Sequence, residues 1–474
     1  MIAASTQGMG VIPSIPLASR PIGGDPDPVL TTMLLLQALS SGPIWIDPPS
    51  GGANDDGFGR ALAVSGNLLL VGSPGRSVWG YRSGDVQAYF KFTDQWQPIG
   101  DVLPDTLEAW DEFGADIVLD GERGAIACPG KDRVYLVGSV HGACFITGSI
   151  DPPPGYEGTR FGTSVAMHGD LLVIGAQLDD TIAIDAGAVH VYRYDGAMWN
   201  HEAHLVPTNA VDFAWAGRSV AVHDDRVAFG ANLEPVGEVL AAGSVYLYRH
   251  TDAGGWSLEE RLTHPDPGPG DYLGYDVAMD GNRLIAGAIL ANGPDDEEDI
   301  GEVITWSLNA TGVEFESTIS PPDNIGGEFG FSIAMHGDQL AIGAIFNGLA
   351  GPVAGAAYRM MWTGSQWAWI GASYPPPPQD GSQMGFAVAV DDAVVAIGCP
   401  RFEDDPRPGR VLMTPWTPDC PGDTNATSTV DVDDILNVIS QWGTCPTCPG
   451  DVTEDGVVSV DDMLLVIASW GACQ

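Results

Sequence analysis

Residues 160–176 read RFGTSVAMHGDLLVIGA. An aromatic-Gly pair opens an apolar run, His168-Gly169-Asp170 supplies a tight polar turn, and a second apolar run closes on Gly-Ala. Two short apolar runs joined by a glycine turn predict an antiparallel hairpin.

The pattern recurs as FGRALAVSGNLLLVGS from Phe58, FGADIVLDGERGAIAC from Phe113, AGRSVAVHDDRVAFGA from Ala216, LGYDVAMDGNRLIAGA from Leu273, FGFSIAMHGDQLAIGA from Phe329 and MGFAVAVDDAVVAIGC from Met384. The marker glycines Gly59, Gly114, Gly162, Gly217, Gly274, Gly330 and Gly385 recur at a nearly constant interval, which marks a repeat architecture. A third strand follows each hairpin, as in Gly84 to Phe90, Gly187 to Tyr194 and Gly243 to His250. A fourth opens at an aromatic: Trp96, Trp199, Trp256 and Trp367 each precede the next marker glycine by the same interval. Four strands per unit, repeated radially, predict an all-β, seven-bladed β-propeller over residues 42–417. The seventh unit ends after its third strand, GRVLMTPW (409–416), so GPIWIDPP (42–49) is expected to supply the missing strand and close the ring.

Composition agrees. The chain has 474 residues, 44% of them hydrophobic, with 62 glycines and 36 prolines suited to many turns between short strands. Nineteen basic residues against 63 acidic ones give a net charge of −44, and Lys91 and Lys131 are the only lysines. That balance argues against nucleic acid as a partner and suits a salty or extracellular medium. No stretch reaches the roughly 18–20 apolar residues of a transmembrane helix. Residues 29–42 have the length of a signal-peptide apolar region, but Asp25 and Asp27 stand where basic residues belong. Residues 1–41 are therefore read as a disordered leader or an export-signal remnant.

FGTSVAMHGDLLVIGA and FGFSIAMHGDQLAIGA resemble FG-GAP repeats, the units of integrin-α-type propellers, in register over about residues 42–417. The resemblance implies an exported binding protein. None of the seven units carries the DxDxDG calcium loop of many such blades. The acidic loops Leu178 to Asp185 and Pro294 to Ile300 lack its spacing and glycine, and are expected to be solvated.

From Cys420 the text changes to a duplication, CPGDTNATSTVDVDDILNVISQWGTC and CPGDVTEDGVVSVDDMLLVIASWGAC, in which Asp423 matches Asp451. Each half is an acidic loop leading into an amphipathic helix, with Val432, Ile435, Leu436, Ile439 and Trp442 on one face and Val460, Met463, Leu464, Ile467 and Trp470 on the other copy's. The two faces are expected to bury each other in an all-α domain over residues 420–474. EF-hand spacing assigns two Ca2+ ions. The first ligand set is Asp423, Asn425, Thr427, the Thr429 carbonyl, Asp431 and Asp434; the second is Asp451, Thr453, Asp455, the Val457 carbonyl, Ser459 and Asp462. Twin loop-helix units with Asp at position 12 resemble a type I dockerin, which implies docking onto a cohesin-like or envelope partner. The module departs from cellulosomal dockerins at Val432-Asp433 and Val460-Asp461, where a hydroxyl pair is typical, and it has no Lys or Arg.

Cys420, Cys445, Cys448 and Cys473 bracket the two halves. Disulfides Cys420–Cys445 and Cys448–Cys473 are the preferred reading, with a four-cysteine zinc site as the rival. Paired cysteines imply an oxidising, extracytoplasmic location. Cys128, Cys144 and Cys399 lie in the propeller, and their pairing is left open.

No catalytic constellation stands out. His168, His223 and His336 occupy one hairpin-turn position in three units, as structural repeats would. His201-Glu-Ala-His204 is not HExxH, and residues three apart on a regular strand face opposite ways. The first strands, expected to line the central channel, read as small or aliphatic. The leading expectation is a non-enzymatic binding or scaffold protein, its loops recognising a protein or glycan and its tail serving attachment. A component of polysaccharide degradation and a structural surface-layer or matrix protein are the alternatives.

Overall fold

The computed structural model describes residues 43–49 and 56–416, apart from 93–94, 141, 210, 252–253, 294–298, 310–311, 323, 376–380 and 402–407. In the tail it describes residues 429–430, 432–440, 443–444, 457–460, 463–464, 466 and 471–472. Residues 1–42, including the signal-like stretch, lie outside the described residues, as do Cys420, Cys445, Cys448 and Cys473.

Seven four-stranded antiparallel sheets form the blades. Blade 3 illustrates the pattern with strands Phe161–His168, Leu171–Ala176, Ala188–Tyr194 and Trp199–Leu205. Leu171–Ala176 is buried at every residue, because neighbouring blades cover both faces; hence its unbroken apolar run. The outermost strand, Trp199–Leu205, exposes Asn200, His201 and Glu202 and is correspondingly more polar. The core lies between blades: Ala125, Ala127 and Val134 of blade 2 pack against Phe161, Ile174 and Tyr192 of blade 3.

The Phe-Gly pair makes the turn into each blade. Thr163 N–H donates to the Arg160 carbonyl at 2.9 Å, and the equivalent bond forms in all seven blades. The third residue of such a type II turn needs positive φ, and the marker glycines hold φ between 80° and 93°. The Gly of Gly-Ala meets the next seam: a Cβ on Gly175 would stand 2.0 Å from the Gly217 carbonyl oxygen, and Gly72, Gly230, Gly287, Gly343 and Gly398 repeat the approach. Blade 2 has Ala127 at this position.

The ring closes as expected. Ile44–Ile46 pairs antiparallel with Arg410–Pro415, completing blade 7 beside Val394–Cys399 and Val388–Asp391. Arg410 holds Asp47 by two hydrogen bonds, at 2.5 and 3.3 Å, and lies over the Trp45 ring at 4.6 Å. Cys128, Cys144 and Cys399 are free thiols.

The described tail is not all-α. A helix spans Val432–Ser440, but Thr429–Val430 pairs with Gly471–Ala472 and Gly443–Thr444 pairs with Val457–Val458. The two ladders follow the duplication, since Thr429–Val430 matches Val457–Val458 and Gly443–Thr444 matches Gly471–Ala472. They give backbone partners to positions 7 and 8 of each acidic loop. The apolar faces also differ from expectation: Val438 and Val466 are fully buried, whereas Val432, Leu436, Ile439, Val460 and Leu464 are about half exposed, at 49–57%.

Candidate functional site: the loop face and the channel mouth

Antiparallel order puts the connections between second and third strands, and those from one blade to the next, on one face of the ring. The 1–2 hairpins and 3–4 turns occupy the opposite face.

On the first face several large apolar side chains are exposed. Trp79, Tyr81 and Trp110 are 58, 53 and 57% exposed. Tyr81 meets Trp110 edge to face at 4.9 Å, Arg82 lies 5.8 Å from the Trp110 ring, and Trp110 N–H donates to the Tyr81 carbonyl at 2.9 Å. Two seams further round, Phe213 N–H donates to the Ile184 carbonyl at 2.7 Å, and both side chains are again exposed. Trp110 and Phe213 hold left-handed backbone, φ 71° and 63°, a conformation that costs a non-glycine residue on the order of 1–3 kcal/mol. Leu240, Ile325, Phe346 and Leu349 extend the apolar collar.

The channel mouth at this end differs from the sequence expectation of small or aliphatic lining. The residue after each marker glycine is Arg218, Tyr275, Phe331, Phe386 and Arg60 in blades 4, 5, 6, 7 and 1. They form a continuous arc. Arg218 lies 4.0 Å over Tyr275, Tyr275 contacts Phe331 at 5.1 Å, Phe331 contacts Phe386 at 5.0 Å, and Arg60 lies 5.1 Å over Phe386. The channel below encloses about 530 Å³.

One residue deeper, two carboxylates tie blades together. Asp116 accepts from Ile117 N–H at 2.9 Å and Val165 N–H of blade 3 at 2.8 Å, and burial pushes it up to about 7 against those two donors. Asp276 accepts from Ser219 Oγ of blade 4 at 2.7 Å and Ile333 N–H of blade 6 at 2.6 Å; burial raises it too.

The histidine turns line the opposite opening as a chain of latches. Gly169 N–H donates to Asp120, Asp224 N–H to His168 Nδ1, Gly337 N–H to Asp280, and Gly66 N–H to Asp391. His223 Nδ1 lies 3.1 Å from Asp280, and His336 Nε2 lies 3.0 Å from Asp392. Six of the seven seams are crossed this way, which gives the repeated histidines their inter-blade role. Hydrogen bonding to Asp280 raises His223, and the same bond holds Asp280 down at about 2.

Of the proposed calcium ligands, Asp423, Asn425, Thr427, Asp431, Asp451, Thr453, Asp455 and Asp462 lie outside the described residues, as does the Asp434 side chain. Thr429 and Val457, offered as carbonyl ligands, sit in the two ladders, and the Ser459 carbonyl accepts from Met463 N–H at 3.4 Å.

Fold and seams define a seven-bladed β-propeller closed by its N-terminal strand. Residues 48–89, 150–192, 256–303 and 314–359 match the FG-GAP repeat. Among solved structures, a crystal structure of a protein from Lactobacillus plantarum is similar, at 13% identity and a TM-score of 0.43, covering 67% of this chain and 85% of that one. No curated protein matches the chain.

Proposed function

We propose that this chain is a binding or scaffold protein, with no catalytic role, that recognises a protein partner through the loop face. The observation that carries the reading is the Tyr81–Trp110 pair, joined by a backbone hydrogen bond yet more than half exposed, with exposed Trp79 two residues before Tyr81. Trp, Tyr and Arg are the residues on which interface energy concentrates. A large apolar cluster left in water, with strained backbone at Trp110, is otherwise hard to account for in a chain of charge −44.

The tail is proposed to serve attachment in an extracellular or cell-surface setting. Its exposed Val432, Leu436 and Ile439 share one helix face, an apolar stripe suited to a partner. Two Ca2+ ions would fold the acidic loops that position it. Among the described residues no helix is long and apolar enough to cross a membrane.

Capture from the source organism's envelope and secreted fractions, with and without calcium, tests both halves. Trp110→Ala combined with Tyr81→Ala should weaken the captured complex by at least about tenfold, since hot-spot truncations cost upward of about 2 kcal/mol, and leave the melting temperature unchanged. Retention of an identical set of proteins by the double variant would refute the loop-face reading. Binding on a glycan array without protein capture would move the ligand to carbohydrate, and release of reducing sugar would make the chain an enzyme. Calorimetric calcium uptake unchanged in Asp451→Asn with Asp462→Asn would remove the second calcium loop.

A further inference from the structure

Blade 3 breaks a pattern that blades 4 and 6 keep. Strand register makes His190, opposite Ile174, the counterpart of Tyr246, opposite Phe229, and of Tyr358, opposite Ile342. His204, opposite His190, is the counterpart of Arg261, opposite Tyr246. Asp179 opens the 2–3 connection where blade 4 has Glu234 and blade 6 has Asn347; each donates its N–H to the carbonyl of the preceding Gly-Ala alanine. In blade 4 the group is self-satisfied: Tyr246 Oη donates to Glu234 at 2.8 Å and Arg261 Nε to the same carboxylate at 3.3 Å. In blade 6, Asn347 donates to Tyr358 Oη at 2.8 Å.

Blade 3 replaces Tyr, Glu and Arg by His, Asp and His, and polar atoms are left over. His190 Nε2 is buried and makes no hydrogen bond, while His204 Nε2 and Asp179 Oδ2 are buried and face each other in a long ion-pair contact. His190 is 0% and Asp179 1% exposed. The three atoms lie within 4.8 Å of one another, and the closest pair, His204 Nε2 and Asp179 Oδ2, is 3.4 Å apart. Orphaned atoms at this depth are costly unless something fills the space between them.

Their surroundings orient them toward one another. Asp179 Oδ1 is held by Thr181 N–H at 2.8 Å, which leaves Oδ2 for the cluster. His190 Nδ1 lies 3.1 Å from His201 Nε2. With the proton on His190 Nδ1 donated to His201, His190 Nε2 presents a bare lone pair. Tyr156 covers the group, its ring 5.0 Å from His190 and 4.6 Å from His204.

A β-bulge makes this possible. Val191 pairs with Ala203 and Tyr192 with His201, so Glu202 is the extra residue. The bulge turns residues three apart onto the same side, and His201 and His204 both reach the His190 ring, with centroids at 5.3 and 4.8 Å. The expectation that they face opposite ways holds only for a regular strand.

We propose that Asp179, His190 and His204 form a binding site for a divalent transition metal of the zinc class, with His201 as a positioning residue behind His190. Two imidazoles and one carboxylate suit Zn2+, which takes nitrogen and oxygen ligands at about 2.0–2.2 Å and tolerates a fourth, open position for water or an exogenous ligand. The oxygen-only chemistry of Ca2+ does not fit this set. The ion ties the 2–3 connection of blade 3 to its two outer strands.

The test is zinc titration of the full chain, stripped with chelator and kept in excess calcium, by calorimetry. Wild type should bind one zinc equivalent that His204→Gln loses, while His201→Gln retains it with about 10- to 100-fold weaker affinity. Because the cluster is buried, Asp179→Glu with His190→Tyr and His204→Arg provides a second variant: it installs the blade 4 set, should fold without metal, and should also lose that equivalent. Cobalt substituted into wild type should give visible d–d bands without the near-ultraviolet thiolate band that tail cysteines would add. Zinc uptake by either the His204 or the triple variant equal to that of wild type, or absence of a stoichiometric equivalent in wild type, would overturn the assignment.

Discussion

Ring closure makes a matched pair of mutations informative. Ile46 stands opposite Val411 in the closing strand, and Ile319 stands opposite Val303, the equivalent residue of blade 5; they are 5 and 8% exposed. Ile→Ala removes three carbons at either site. At about 0.8 kcal/mol each this is roughly 2.5 kcal/mol, and the residual cavity brings it to about 3–4 kcal/mol. Global stability should therefore fall similarly in both variants. Local stability should not. Ile319 belongs to a strand held by seven residue pairs and separated from its neighbour by only two residues of sequence, whereas Ile44–Ile46 has three pairs and arrives from a distant part of the chain. In Ile46→Ala the closing strand should detach without unfolding the blades, and about 3 kcal/mol less opening energy means roughly 100-fold faster amide exchange over Val411–Thr414. Hydrogen exchange read by mass spectrometry measures this directly. Equal acceleration over Val411–Thr414 and over the Glu302–Asn309 strand of Ile319→Ala would refute the view that closure is the weak seam.

Three further perturbations probe the seams. Gly175→Ala places a Cβ 2.0 Å from the Gly217 carbonyl and 2.4 Å from Ser164 Oγ, so it should cost about 1–3 kcal/mol in denaturant unfolding; an unchanged midpoint would contradict the seam geometry. His223 is raised in the folded protein, so its latch contributes fully below about pH 6.5 and is lost as pH rises through the folded value, while Asp280, held down at about 2, loses its share only as pH falls toward 2. His223→Gln should accordingly melt earlier than wild type near pH 5 and converge with it near pH 9, and a constant gap across that range would exclude the latch. Asp116, raised to about 7, contributes stability below about pH 4 that disappears as pH rises through 7; the melting temperature of Asp116→Asn should gain on wild type between pH 4 and 8, and a parallel pair of curves would show that Asp116 does not titrate in the fold.

The scaffold was legible in the sequence because its rules are local and repeated. A type II turn demands glycine after Phe161, the seam excludes side chains at Gly175, and both demands recur at a fixed period. The closing strand was legible because the seventh unit lacked a fourth one. Other features depend on what stands across a seam. His168 and His223 could be placed in turns, but their bonds to Asp224 and Asp280 belong to the neighbouring blade. The channel arc was hidden for a different reason: the residue after the marker glycine is Thr163 in the copy with the clearest pattern. Reading that one position across all copies gives Arg60, Ala115, Thr163, Arg218, Tyr275, Phe331 and Phe386, a signal present in the sequence but invisible in any single unit.

The same comparison between copies explains why blade 3 is the place for new chemistry. Positions fixed by the seams cannot vary without opening the ring, so variation is confined to the loops and to residues packed near the outer end of each blade. At the outer position blades 4 and 6 keep a tyrosine whose hydroxyl is satisfied within its own blade by Glu234 or Asn347. Substituting His190 there removes that hydroxyl and, with Asp179 and His204, exchanges a closed hydrogen-bond set for three inward-facing ligand atoms. Such a buried set would weaken a blade whose only role was packing, since each orphaned atom costs about 1–3 kcal/mol. An ion at their centre turns the same three residues into a link between strands that blades 4 and 6 join by the tyrosine's hydrogen bond to Glu234 or Asn347.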